Sequence, residues 1–69
     1  MKNLWYGYTT CDFCHKEVNK QGDYFVDGKT RYGPWGLMCK PCHKEHGIDG
    51  FGLGKAQKYS SRNMEKIEG

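Results

Sequence analysis

Cys11-Asp12-Phe13-Cys14 and Cys39-Lys40-Pro41-Cys42 are the two stretches that decide how this chain folds. Each CxxC pair offers two thiolates to one metal ion. Two pairs complete a tetrahedral four-sulfur shell, the closed arrangement of a structural zinc site. The chain has four cysteines, so none is left over. The expected ligands are therefore Cys11, Cys14, Cys39 and Cys42, and the expected cofactor is one Zn²⁺ per chain.

A staple of this kind answers a need set by length. A chain of 69 residues allows one domain and buries too little surface to be secure without one. Hydrophobic residues are 36% of the chain and its mean hydropathy is −0.92, so a large apolar core is out of reach. Aromatics at 14% point instead to a few large rings packed beside the metal site. The metal binds the folded site and hardly at all the unfolded chain, so its binding energy becomes folding energy.

Between the pairs, Tyr24-Phe25-Val26 has strand propensity and is followed by Asp27-Gly28, a preferred two-residue hairpin turn. Lys29-Thr30-Arg31-Tyr32 is then the returning strand, broken by Gly33-Pro34. Lys16 to Asp23 reads as an exposed loop or the approach to a strand. Pro41 and Gly47 bracket a short helix over residues 42–46, with Cys42 near its positive end and Ile48 folding back onto its last turn. Residues 1–10, with Trp5, Tyr6 and Tyr8, form an N-terminal strand or arm. Residues 11–48 form the finger core. Residues 49–69 form a Gly-rich basic loop and a short C-terminal helix, capped by Ser60-Ser61 and carrying Met64 and Ile67 on one face.

Knuckle, hairpin, knuckle, short helix is the order of a treble-clef zinc finger. The segment Gly36-Leu37-Met38-Cys39-Lys40-Pro41-Cys42-His43-Lys44-Glu45-His46-Gly47 resembles the second half of GATA-type fingers. Asp27-Gly28-Lys29-Thr30, Gly33-Pro34-Trp35, Met38 to Cys42 and Gly52 to Tyr59 together resemble small zinc-ribbon-like proteins of bacteriophages. That resemblance implies a phage origin, a metal site and no particular activity. Proteins of that kind act in the host cytoplasm by binding nucleic acid or a host protein. The fold expected is thus a small metal-stapled α+β finger of treble-clef or zinc-ribbon-like type.

Other uses of these residues meet objections. Rubredoxin-type iron sites read CPxC followed by Gly, where this chain has Cys39-Lys40-Pro41-Cys42-His43. Each pair is followed by histidine, as in haem c attachment, but two haems demand an export signal and more apolar lining than this chain has. Dithiol redox motifs sit in a βαβ framework for which the chain is too short. HNH-type nuclease chemistry needs a histidine on the hairpin. The three histidines are His15, His43 and His46, none of them between residues 16 and 38. The chain is therefore expected not to be an enzyme.

The opening Met1 to Gly7 has no apolar run of signal-peptide length, and no stretch matches a membrane helix. Cytoplasmic residence without a membrane partner is the expectation, and in that compartment CxxC pairs bind metal rather than form disulfides. The formal charge of +3 falls to about +1 once four thiolates hold one dication, so nucleic-acid binding requires a local patch. Two acid-free stretches supply candidates: Lys29, Arg31, Trp35, Lys40 and Lys44, then Lys55, Lys58, Tyr59 and Arg62. Among them Trp35, Tyr32 and Tyr59 offer rings for stacking on bases. The Gly52-Leu53-Gly54-Lys55 loop offers backbone N–H groups to phosphate. The rival partner is a host or phage protein, engaged through exposed aromatics.

Overall fold

The computed structural model describes residues 4–48, 50–52 and 54–69. Four strands form one antiparallel sheet: β1 (Tyr24–Lys29), β2 (Trp35–Cys39), β3 (Ala56–Ser60) and β4 (Lys66–Glu68), in the spatial order β2-β1-β3-β4. One helix, α1 (Lys40–His46), follows β2 directly, and a 3₁₀ turn at Val18–Lys20 precedes β1. Among the described residues no helix is long and apolar enough to cross a membrane.

The Asp27-Gly28 hairpin expected from sequence is not formed. Both residues lie inside β1, where Gly28 sits opposite Gly36 of β2 and Ala56 of β3. The chain needs glycine there for close approach: a Cβ on Gly28 would stand 2.4 Å from the Ala56 Cβ and 2.7 Å from its Cα. Glycine inside a strand marks such a contact as often as a turn. The reversal comes instead at Thr30–Pro34. The Pro34 carbonyl accepts from both the Thr30 N–H at 3.0 Å and the Thr30 hydroxyl at 2.8 Å. Gly33 supplies the left-handed φ of 106° that this turn requires. The returning strand is therefore Trp35–Cys39, not Lys29–Tyr32, and it runs straight into the second cysteine pair.

The expected C-terminal helix is also absent. Residues 56–60 pair with β1 along its length, and Lys66–Glu68 returns as β4. Ser60 does cap a nearby amide: its hydroxyl accepts from the Arg62 N–H at 3.3 Å. That short-range bond serves a turn as readily as a helix start. Here it shapes a hairpin loop closed by Met64 N–H on the Ser60 carbonyl and Ser60 N–H on the Glu65 carbonyl. Pairing with a central strand outweighs the weak local preference of Gln57 and Lys58.

Each face of the sheet carries part of the core. On one, Phe25 and Tyr59 stack with centroids 5.5 Å apart, and Trp5 from the N-terminal arm meets both edge-on. The arm is tied down by the Trp5 N–H on the Met64 carbonyl. On the other, Val26 and Met38 are paired neighbours and fully buried. Between residues 16 and 23 the chain is not wholly exposed, because Val18 is buried in the core.

Candidate metal centre and binding surface

The first cysteine pair sits in a narrow ribbon. Thr9 accepts from the Val18 N–H, Cys11 N–H donates to the Lys16 carbonyl, and the Cys11 carbonyl accepts from the His15 N–H. This folds Cys11–Cys14 into a knuckle whose Phe13 and Cys14 amides approach Cys11 Sγ at 3.4 and 3.5 Å. The tight return places His15 at φ 63°, a left-handed conformation that a side chain adopts at a cost.

The second pair uses the strand–helix junction. Cys39 ends β2 and precedes α1, while Cys42 lies in its first turn. Pro41 occupies the same turn, where its missing N–H costs no hydrogen bond. The expected helix is thus present and starts earlier, at Lys40.

These two devices bring all four Sγ atoms within 4.8 Å of one another. Cys14 and Cys39, twenty-five positions apart, have their sulfurs at 3.6 Å. A disulfide needs about 2.05 Å, whereas the edge of a tetrahedral thiolate shell with metal–sulfur bonds of about 2.3 Å is about 3.8 Å. All four are free cysteines, and the donor set fits a metal ion. Burial pushes the Cys11 thiol up, but N–H groups of Cys14, Cys39 and Phe13 outweigh it and bring it down to about 7. Burial pushes Cys39 and Cys42 up; hydrogen bonding with the neighbouring sulfurs adds to this for Cys42, while for Cys39 the bonds with Cys42 oppose it and those with Cys14 and Cys11 add to it. Carrying four thiolates together calls for a compensating cation.

The knuckle also reaches the sheet. The Asp12 N–H donates to the Leu37 carbonyl at 2.8 Å, and the Leu37 N–H donates to Asp12 Oδ2 at 2.7 Å. The Tyr8 hydroxyl donates to the same carboxylate at 2.9 Å. Phe13, between the two ligands, stacks on His46 of α1 with centroids 4.2 Å apart and planes 10° from parallel.

The sequence-derived nucleic-acid residues divide into groups. Lys29, Arg31, Trp35 and Lys55 gather at one end of the sheet: Lys29 pairs with Trp35, and its N–H donates to the Lys55 carbonyl. The Arg31 N–H donates to the His46 carbonyl, and the Arg31 and Lys44 side chains line one concavity with Tyr24, His43, Gly47 and Ile48. Lys40 and Arg62 lie toward the other end of β1, about 17 Å away by strand rise. There Lys40 is paired with Asp23 at 3.0 Å, and Arg62 lines a separate hollow with Asp23 and Ser61. Lys58 lies over the Tyr24 ring at 4.2 Å and pairs with Glu68. Tyr59 is 7% exposed and belongs to the core, so it offers no face to a base. In the Gly-rich loop, Leu53 lies outside the described residues. The N–H groups of Gly52 and Lys55 are turned inward, onto the Ala56 and Gly52 carbonyls, and are not presented to a phosphate.

Sequence reasoning missed Phe13, which is half-buried against the core and lines a groove. Phe13, Tyr32, Pro34 and Trp35 line a groove of about 250 Å³, with Asp12, Thr30 and Gly36 completing it. An apolar ring inside a CxxC pair was the available signal, since such a ring must find an apolar or aromatic neighbour, here His46. Compared with protein-family models, curated proteins and solved structures, the chain matches none.

Proposed function

We propose that this chain is a zinc-stapled, non-catalytic module that binds nucleic acid across one end of its sheet. The observation that best supports this is the meeting of Lys29 and Lys55 beside Trp35, which is 47% exposed. Cations of one sign beside accessible rings suit a phosphate chain carrying flat bases. The four sulfurs support zinc, a tetrahedral ion content with thiolates. The succession of knuckle, β1–β2 hairpin, second pair and α1 supports a treble-clef arrangement. Similarity to small phage zinc-ribbon-like proteins supports an origin in a bacteriophage and action in the host cytoplasm.

In this reading the metal holds the fold and takes no part in a reaction. The histidines fit that role: His46 is held by the Tyr32 hydroxyl at 2.8 Å and by Phe13, and the His43 ring packs near Phe51 and Tyr24.

Salt dependence tests the proposal. With three or four phosphates neutralised, affinity is expected to fall about 20- to 150-fold between 50 and 200 mM salt. Lys29→Ala with Lys55→Ala is expected to flatten that slope without changing the circular dichroism spectrum. Binding with no salt dependence, or none at low salt, would refute it and favour the rival reading, a protein partner engaged through the aromatic groove.

A further inference from the structure

We propose that the groove lined by Phe13, Tyr32, Pro34 and Trp35 takes one unpaired base, so that the nucleic acid recognised is single-stranded. The inference rests on the nucleic-acid reading above and adds to it which form is bound and where the base goes.

Three observations support it. Each wall of the groove is fixed before any ligand arrives. Trp35 Nε1 donates to Asp27 Oδ1 at 2.8 Å, the Tyr32 hydroxyl is bonded to His46 Nδ1, and Phe13 lies flat on His46. A slot whose rings are already immobilised loses little entropy when it is filled. The groove, at about 250 Å³, is smaller than the roughly 300–1,000 Å³ of drug-sized clefts, a scale that suits one flat ring system. Its lining is apolar apart from Thr30 and Asp12. The Thr30 hydroxyl is committed to the Pro34 carbonyl, and the Asp12 carboxylate to Tyr8 and the Leu37 N–H.

Charge complementarity selects a nucleotide over another flat ligand. Lys29 is the direct cross-strand neighbour of Trp35 on the same face of the sheet, which puts their Cβ atoms about 5 Å apart. Lys55 adjoins Lys29 through its carbonyl. Beyond the turn, Arg31 and Lys44 line a concavity of about 490 Å³ that, among the described residues, contains no carboxylate. A base in the groove thus has Lys29, the neighbour of Trp35, for a flanking phosphate. In a duplex the base faces are covered by their stacked neighbours, so only an unpaired base offers a face to these rings.

The test is fluorescence anisotropy with the zinc-loaded chain. A labelled ten-residue oligothymidine is compared with a labelled hairpin duplex of equal charge, at low salt, for the wild type and for Trp35→Ala. The expected result is at least about tenfold tighter binding of the single strand. Trp35→Ala should lower that affinity about tenfold or more and keep the native circular dichroism spectrum. Equal or tighter duplex binding, or a single-strand affinity indifferent to Trp35→Ala, overturns the inference while leaving nucleic-acid binding intact. Absence of binding to either probe overturns both readings.

Discussion

Gly28→Ala separates two readings of the same dipeptide by the sign of its effect. At an unstrained strand position with open space, alanine for glycine stabilises by about 0.4–1 kcal/mol, because the unfolded chain loses freedom. Gly28 has no such space. Its added Cβ would meet the Ala56 Cβ at 2.4 Å, the Ala56 Cα at 2.7 Å and the Lys55 carbonyl oxygen at 3.0 Å. Two of these are backbone atoms of the paired strand, and they yield only if β1 and β3 separate. Overpacking of this kind costs about 1–3 kcal/mol; set against the unfolded-state gain of about 0.4–1 kcal/mol, mid-range values leave a net loss of about 1.3 kcal/mol. Against a total of about 3–10 kcal/mol for a chain of this length, that is a large share. At about 4–8 °C per kcal/mol for a domain of this size, Tm falls by about 5–10 °C. The assay is a thermal melt followed by circular dichroism at fixed free zinc, since metal concentration itself moves the midpoint. Ala56→Gly in the Gly28→Ala background removes the nearest atom and should recover part of the loss, whereas Ala56→Gly alone only destabilises. A melt unchanged or raised by Gly28→Ala, or no recovery in the double variant, would refute the close-approach account and return Asp27-Gly28 to a turn.

Cys11→Ser and Cys39→Ser each remove a thiolate from the shared cluster and are expected to abolish cooperative unfolding and one-zinc stoichiometry in native mass spectrometry; a cooperative melt with zinc lost would sink the staple. Acidification should release zinc and collapse the circular dichroism signal at the same pH, because each thiolate takes up a proton as the metal leaves. His15→Gly relieves a left-handed residue and should stabilise by about 0.5–1 kcal/mol, read as a higher Tm; a lower one would contradict the knuckle geometry. Burial raises the pKa of Asp27, opposed by the Trp35 N–H and reinforced by the Asp12 charge. A raised carboxyl pKa favours the fold below the unfolded value of about 3.9, and that contribution is lost as pH rises through the folded value. Asp27→Asn retains an acceptor for Trp35, so it should raise Tm at neutral pH by a margin that shrinks as pH falls; a lower Tm at pH 7 would reverse the assignment.

The cysteine cluster was legible because its signal is local and chemical. Four cysteines in two CxxC pairs leave few alternatives, and Pro41 and Gly47 mark α1 nearly to the residue. The sheet was less legible, because its decisive contacts are remote in sequence. Asp27-Gly28 carries the pattern of a turn, and only the arrival of Ala56 explains glycine inside a strand. Ser60-Ser61 carries the pattern of a helix cap, and only pairing of Ala56–Ser60 with β1 decides for a hairpin. Charge runs along the sequence likewise could not say which cations share an end of the sheet. Lys29 and Lys55 meet through strand pairing, while Lys40 is paired with Asp23 and Tyr59 is buried under Trp5.

The bonds between Asp12 and Leu37 have a consequence for self-association. β2 is an outer strand of the sheet, and an outer strand left bare is a template for the same strand of another copy. Here the metal knuckle occupies that position, with one backbone and one side-chain bond to Leu37. If a metal holds the four sulfurs, as proposed, removing it frees the knuckle and uncovers the rim of β2. A chelated chain in which the sheet survives even briefly is then expected to join copies edge to edge, giving light scattering that grows with protein concentration. Prompt return of zinc would then reseat the knuckle and block that growth, so an ion held by the four sulfurs would serve colloidal stability as well as folding.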